Sequence, residues 1–588
     1  TVVVGNPPYS ALQTSENDGN KNLSYPTLDE RIRTTYAARS SAVLKNSLYD
    51  SYVRAIRWAS DRIHGRGVVG FVTNGSFIDG NALDGLRACL AEEFTNLYVF
   101  NLRGNQRTSG ELSRMEGGKI FGSGSRTPVA ISILVRNPDK NTPGELFYHD
   151  IGDYLPREEK LSIIRRFSSL NGLHRERKWV RIQPNANHDW INQRDPAFES
   201  FIPLGDKRDD AGMLFFGSYS HGVKTNRDVW CYNFSEVEAA SNMSRMVDFY
   251  NEEVSRFERF DPGRSRSERS AEIDGFVDAD PKRISWSRSL KQDLGQGKRH
   301  TVIATNVRCA IYRPYCRQQL YFDRSFNDVV GLTPALFPTS SHPNVAISVM
   351  GAGASKDFSA LLVNVLPDYE LISKGQCFPL YLYEKDQPDE PGELLAREQE
   401  GELIDGYRRR SAITPGILAE FRAAYEERIT AEDIFYYVYG VLHSPEYRTR
   451  FASDLKKMLP RLPLTRETAD FWRFSQAGRD LAYWHLNYET VKPWPVKEHS
   501  SELLSDPTKD YLVQKMTYGR PTAAQKAAGE KLDKTVLHYN SRITLTDIPL
   551  EAYNYVVNGK PALDWIVERY QVTVAKDSGI RNAPNDWA

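Results

Sequence analysis

Over residues 1–149, short apolar runs alternate with stretches whose apolar positions recur every three or four residues. Thr1-Val2-Val3-Val4-Gly5 is the first run, and its β-branched residues ending in glycine predict a short buried strand. In residues 47–59, Leu48, Tyr52, Ala55, Ile56 and Ala59 share one helical face. Residues 67–74 predict a second strand, 83–93 a helix, 97–102 a strand and 129–135 a further strand after a glycine-rich turn. Strand alternating with helix predicts a doubly wound parallel sheet. Residues 10–46, polar and rich in Ser, Asn and Thr, predict a long mobile loop, a common place for a lid.

Beyond residue 150 the pattern changes. Aromatic residues recur in short runs broken by Gly, Pro and Asn, and regular helical spacing is confined to residues 158–170 and 235–259. Mixed β structure with many loops is expected. Residues 387–405 are charged and rich in Pro and Glu, a surface linker. Thr430, with Asp433 three residues on, predicts a capped helix whose apolar face is Ile434, Tyr437, Val438, Val441 and Leu442. His443-Ser444-Pro445 breaks that helix, with His443 as a C-cap, and another runs to Leu459. Further helices are expected over residues 471–487 and 562–570.

Composition narrows the class. The chain has 588 residues, 40% hydrophobic and 26% charged, enough for two or three cores. Its net charge is zero, so any basic surface must be local. It has no signal peptide and no apolar run that would span a bilayer. Five cysteines without metal-ligand spacing predict reduced thiols of a cytoplasmic protein, and no metal site is expected. No Walker lysine loop is present, so no ATPase is expected within these residues. A first residue already in a strand and an uncapped last segment point to a piece of a longer polypeptide.

The candidate chemistry lies just past the first strand, in Asn6-Pro7-Pro8-Tyr9. Ligands collect at the carboxyl ends of strands in open α/β sheets. Two prolines stiffen the backbone there. The Asn6 side-chain oxygen and the Pro7 carbonyl are two fixed acceptors, suited to the two hydrogens of an exocyclic amine on a planar ring. Such a nitrogen is a poor nucleophile because its lone pair is delocalised; holding both hydrogens favours a tetrahedral, reactive nitrogen without a strong base. Tyr9 supplies a face for stacking, worth about 1–3 kcal/mol per base. A base within a duplex must be flipped out to reach such a corner.

Asn6-Pro7-Pro8-Tyr9 resembles motif IV of S-adenosylmethionine-dependent amino-methyltransferases, above all the DNA adenine-N6 class. Leu48-Tyr49-x-x-Tyr52 before Gly67–Thr73 resembles motifs V and VI of the γ arrangement, and Ile120-Phe121-Gly122 before Val129-Ala130-Ile131 resembles motif VIII. The resemblance implies that Asn6, Pro7, Pro8 and Tyr9 are catalytic, that Phe121 packs on the flipped base, and that Tyr52 and Asn6 border the cofactor. It also implies a Gly-rich cofactor loop upstream of motif IV, where this chain has only Thr1 and three valines. The main S-adenosylmethionine loop is therefore expected outside the sequence. Val345–Ala354, a strand running into Gly351-Ala352-Gly353 with Asp368 and Glu370 beyond, would as a cofactor loop make a permuted β-type enzyme; the γ order of the other motifs favours a tight β-turn, and Gly122-Ser123-Gly124 is read as a hairpin loop.

Gly222-Val223-Lys224-Thr225-Asn226-Arg227-Asp228 offers donors and acceptors in a turn before an aromatic strand. Lys282, Arg283, Arg288, Lys291, Lys298 and Arg299 form a local basic excess over Asp293, open to two readings: a phosphate-binding surface or a solvated helix face. With Tyr312-Arg313-Pro314-Tyr315, Gly375–Tyr381 and Tyr437–Tyr447, these stretches resemble single-chain Type ISP restriction–modification enzymes over nearly the whole chain. The resemblance implies an α/β class: a partial Rossmann-like methyltransferase sheet, then a mixed α+β target-recognition region with a helical C-terminal part. Expected boundaries are 1–149 for the methyltransferase half, 150–385 for target recognition, 386–429 for a linker and 430–588 for the remainder. Expected partners are double-stranded DNA, contacted by Lys224, Thr225, Arg227 and the basic residues above, and upstream nuclease and translocase domains. The expected function is adenine-N6 methylation with target recognition. The alternatives are a DNA-binding specificity module without catalysis and, third, a protein or RNA methyltransferase.

Overall fold

The computed structural model describes residues 1–8, 25–42, 44–108, 110–121, 126–139, 144–207, 212–260, 265–270, 272–354, 356–386, 401–500 and 506–587. Tyr9 and Gly122-Ser123-Gly124 lie outside them. The chain forms two compact units, residues 1–199 with 450–458, and residues 200–449 with 459–588.

The first unit is built on a six-stranded sheet of order β1-β2-β4-β3-β5-β6. The strands are β1 (Val2–Gly5), β2 (Gly67–Asn74), β3 (Asn96–Asn101), β4 (Val129–Arg136), β5 (Glu145–Asp150) and β6 (Val180–Ile182). β1 runs parallel to β2, and β3 to β5, but β4 is antiparallel to both β2 and β3. The expected all-parallel sheet is corrected here. The chain leaves β3 and enters β4 at the same end of the sheet, where Leu102 N donates to Val129 O at 2.9 Å and Val129 N to Arg103 O at 3.0 Å. Entering where it left, it runs back in the opposite direction.

Helices cover both faces. α1 (Pro26–Ile32), α2 (Ser51–Arg62) and α3 (Asp84–Glu93) pack one core around Tyr52, Ile56, Leu86, Phe71 and Leu97. α4 (Arg157–Phe167) closes the other, with Phe100, Leu102, Ile120 and Val129. The unit thus runs past the expected boundary at 149, because β5, β6 and α4 belong to the same sheet and cores. Residues 26–37, expected in a loop, are helical, with Ile32 and Tyr36 buried. The short helix Ala452–Lys457 joins this unit through a buried ion cluster. Asp189 pairs with Arg194 at 2.9 Å and Lys457 at 3.1 Å, and Lys457 also reaches Asp79 at 3.1 Å.

The second unit carries several small sheets. One joins β8 (Tyr232–Asn233), β9 (Val307–Arg313), β10 (Cys316–Tyr321) and β13 (Leu366–Pro367) in the order β13-β9-β10-β8. Another joins β7 (Ser220–His221), β11 (Ala346–Val349), β12 (Ala360–Val363) and β14 (Gln376–Pro379) in the order β12-β11-β14-β7. β11 returns directly as antiparallel β12, so the Gly351-Ala352-Gly353 segment leads into a strand rather than a helix. A three-stranded sheet of β15 (Tyr381–Lys385), β16 (Glu402–Ile404) and β17 (Tyr407–Ser411) occupies part of the expected linker, as does the helix Pro415–Ala424. α5 (Glu236–Glu258) is the long helix of the unit. α6 (Ala431–Val441) begins with the expected capping box: Asp433 N donates to Thr430 Oγ1 and Thr430 N to the Asp433 carboxylate. His443 caps its end, its Nδ1 donating to Tyr439 O at 2.9 Å. α6 crosses α7 (Thr468–Leu486) at Gly440 and Gly478.

Candidate functional site

β1 leaves the sheet at Gly5, which pairs in register with Phe71. Just beyond, Asn6 and Pro8 are exposed and Pro7 is half-buried. The acceptor corner therefore opens to solvent and is not packed beneath the surface. The C-terminal end of β2 and the start of β4 lie at the same end of the sheet, since Asn74 pairs with Val129. Asn74 folds its own side chain back to accept from Ser76 N at 2.9 Å.

Phe121 reaches this end of the sheet on the segment that leads into β4. It is half-buried against the core of Phe100, Ile120, Val129 and Phe167. α4 sets its position. Arg157 Nε donates to the Ile120 carbonyl at 2.9 Å, and Lys160 Nζ donates to Leu102 O at 2.9 Å and Glu116 O at 2.7 Å. Burial pushes the Lys160 ammonium down to about 8. Sequence reasoning passed over Lys160. Its signal is a lysine on the apolar stripe of Ile163, Ile164 and Phe167, where an amine must find carbonyls.

Tyr52 is placed differently from its expected cofactor role. It is 2% exposed, in the core beneath α2, where burial holds its hydroxyl far above the ordinary tyrosine range. In this structure it packs and offers no face to a ligand.

In the second unit, the residues that carried the Type ISP resemblance meet. Gly222 lies against the 368–369 backbone, where a Cβ would stand 2.4 Å from Asp368 O. Val223 exchanges backbone hydrogen bonds with Pro367 and Tyr369, at 2.8 Å each. Arg313 then clamps the loop: Nη1 meets Asp368 Oδ1 at 2.7 Å and Nη2 lies 3.6 Å from Asp228 Oδ2. Tyr312 OH donates to Asp228 Oδ2 at 3.2 Å, and Thr225 Oγ1 donates to the other Asp228 oxygen. Two carboxylates share one guanidinium. Desolvation, with Asp228 nearby, pushes the more buried Asp368 up to about 7. Gly375–Tyr381 supplies β14, whose Gln376 pairs with His221 of β7.

This clamp separates the expected DNA contacts. Lys224 is exposed, but Thr225 and Arg227 are 1% and 4% exposed, inside the loop. Their roles here are structural: Thr225 Oγ1 accepts from Arg227 N at 3.1 Å and ties the turn to Asp228. The basic run is largely neutralised by acids from α5 and its neighbours. Arg283 meets Glu252 at 3.2 Å, Lys291 meets Asp274 at 2.6 Å, Lys298 meets Asp293 at 3.3 Å, and Arg299 meets Glu258 at 2.8 Å. Lys282 and Arg288 are exposed. The solvated-face reading fits the four paired cations better than a phosphate track. Among the described residues no cluster of His, Cys, Asp or Glu could hold a metal ion, and no helix is long and apolar enough to cross a membrane.

A family model described as the Type ISP C-terminal specificity domain matches residues 214–588. A search of curated proteins found no match. Among solved structures, a nuclease-deletion mutant of the Type ISP restriction–modification enzyme LlaGI, in complex with a DNA substrate mimic, is 40% identical with a TM-score of 0.83. It is matched by all of this chain over 50% of its own length. The ATP-dependent Type ISP enzyme LlaBIII bound to DNA is 35% identical, matched by all of this chain over 35% of its length, with a TM-score of 0.83. The DrdV–DNA complex is 31% identical, with 98% of this chain and 53% of that one covered and a TM-score of 0.79. The chain thus spans half or less of the two Type ISP chains.

Proposed function

Because this chain belongs to the Type ISP restriction–modification family, with the C-terminal specificity domain over residues 214–588, we propose that its second unit recognises a double-stranded DNA sequence and that residues 1–199 carry the base-holding half of an adenine-N6 methyltransferase. The open Asn6-Pro7-Pro8 corner at a strand's carboxyl end carries the catalytic half of this reading. The Asn6 side-chain oxygen and the Pro7 carbonyl accept the two amine hydrogens of a flipped adenine and hold its nitrogen for attack. Tyr9 and Phe121 stack on the ring from their places beyond β1 and before β4.

The sheet edge supports a partial methyltransferase. β1 is an edge strand, and its Val2 and Val4 are 71% and 78% exposed, an apolar surface that further sheet and helix would cover. S-adenosylmethionine supplies the methyl group in such a reaction. The described residues do not fit it: Tyr52, one of the two residues expected to border the cofactor, is in the core. We assign the cofactor's site to other segments of a longer protein, together with nuclease and ATP-dependent functions of the kind that the names of the longer relatives indicate.

The same burial of Tyr52 favours a second reading for the chain by itself, recognition of DNA without catalysis. A gel shift with and without S-adenosylmethionine, beside a radiolabelled methyl-transfer assay, tests both. Sequence-specific binding with no methyl transfer by this chain, and transfer restored in the longer protein, is the expected pattern. Methylation of tRNA or a protein substrate, with none of duplex DNA, would overturn it.

A further inference from the structure

A cavity of about 610 Å³ lies wholly within the second unit, lined by residues of β9, β15, β17 and α6. Arg308 lines it. Its Nη1 donates to Phe337 O at 2.9 Å and Pro338 O at 3.2 Å, and these are neutral carbonyls. Among the described residues no carboxylate pairs with this guanidinium, and partial burial pushes it down to about 10. A cation that is desolvated and lacks an acid partner favours an anion beside it. The single acid of the lining, Glu432, is already engaged by Arg479 at 2.8 Å.

Aromatic rings complete the lining. Tyr381 has the Arg409 guanidinium 4.5 Å from its ring centre, and Tyr436 has that of Arg479 at 4.4 Å. Each ring thus has an arginine against it while lining the cavity. The volume falls within the range of about 300–1,000 Å³ common for small-ligand sites. Planar rings beside an arginine fork suit a nucleobase joined to a phosphate.

We infer that this cavity binds one nucleotide unit, its phosphate on Arg308 and its base against Tyr381. The unit is either a free nucleotide or one residue of a DNA strand. The inference does not depend on the methylation reading, and no cofactor is needed to test it.

Isothermal titration of the 588-residue chain with dAMP and with inorganic phosphate is the experiment. The wild-type chain should bind dAMP. Arg308→Met should weaken dAMP by about tenfold or more, as expected for loss of a charge-assisted bond. Tyr381→Leu should weaken dAMP by roughly tenfold and leave inorganic phosphate unchanged. Displacement of dAMP by duplex DNA assigns the site to a strand; simultaneous binding assigns it to a free nucleotide. No dAMP binding by the wild type, or equal binding by Arg308→Met, overturns the inference. Should Arg308→Met fail to fold for want of its carbonyl bonds, Tyr381→Leu decides, and unchanged dAMP affinity there overturns it. DNA binding in the gel shift stands or falls separately.

Discussion

Replacing Arg313 by Met would strand the carboxylates that hold the 222–228 loop. The side chain keeps its stem and loses its fork. Asp368 is 4% exposed and depends on the 2.7 Å contact to Arg313, supported by a hydrogen bond from Glu370 N at 2.8 Å. Removing one partner of a buried ion pair costs about 3–5 kcal/mol. Asp228 is more exposed and keeps its bond from Tyr312, so its share is small. Protonation limits the loss. Burial pushes Asp368 from its ordinary 3.8 up to about 7, so its carboxyl is mostly neutral at about pH 6 and mostly charged at about pH 8. A raised acid costs stability progressively as pH climbs from the unfolded value to the folded one. Without Arg313 the folded value moves higher still, and the penalty grows by about 1.4 kcal/mol per pH unit until it is reached. Urea unfolding followed by tryptophan fluorescence, at about pH 6 and about pH 8, measures this. The variant should lose about 1.4 kcal/mol more at the higher pH than at the lower, for the one pH unit beyond 7. Adding Asp368→Asn should recover more than about 1 kcal/mol of the loss, because the stranded charge is gone. A loss under about 1 kcal/mol at the higher pH, or strict additivity with Asp368→Asn, would refute the clamp.

Three other outcomes follow from named contacts. Gly478→Ala places a Cβ 1.9 Å from Tyr436 O, so α6 and α7 must part; calorimetry should show a loss of at least about 1–3 kcal/mol, and an unchanged melting temperature would contradict the crossing. Burial pushes His443 down to about 3 and His485 to about 4, below their ordinary 6.5, so their stabilising effect is full above 6.5 and is lost as pH falls toward those values. By about pH 5 the two together should remove about 4 kcal/mol, and His485→Gln should lower the slope of stability against pH over that window. Lys224→Ala should weaken DNA binding uniformly across sequences and reduce the slope of log affinity against log salt by about 1, measured by fluorescence anisotropy.

Periodicity marked most elements of the first unit because a strand or helix with one buried face repeats its apolar residues locally. Thr430 and Asp433 likewise declared a helix start by themselves. The direction of β4 was not legible, since it depends on where the chain re-enters the sheet. Residues 26–37 resemble a loop in composition because Arg, Asp and Thr crowd around the few apolar positions that are buried. Exposure was harder still. Thr225 and Arg227 have the chemistry of DNA contacts, but both are buried, and the Asp228 carboxylate that Thr225 bonds is held by Tyr312 and Arg313 from far along the chain. The basic run of residues 282–299 shows only Asp293 against it in sequence because Glu252, Glu258 and Asp274 lie outside it. Asp189, Lys457 and Asp79 come from distant segments, and nothing local shows that they form one cluster.

The account turns on whether Asn6 and Pro7 grip an extruded adenine amine. The direct measurement is methyl transfer into duplex DNA by the longer protein carrying Asn6→Ala, with the product base identified by mass spectrometry and sequence-specific binding measured in parallel. N6-methyladenine should appear with the unaltered protein and vanish in the variant while binding persists. Undiminished N6-methyladenine in the variant would contradict the account.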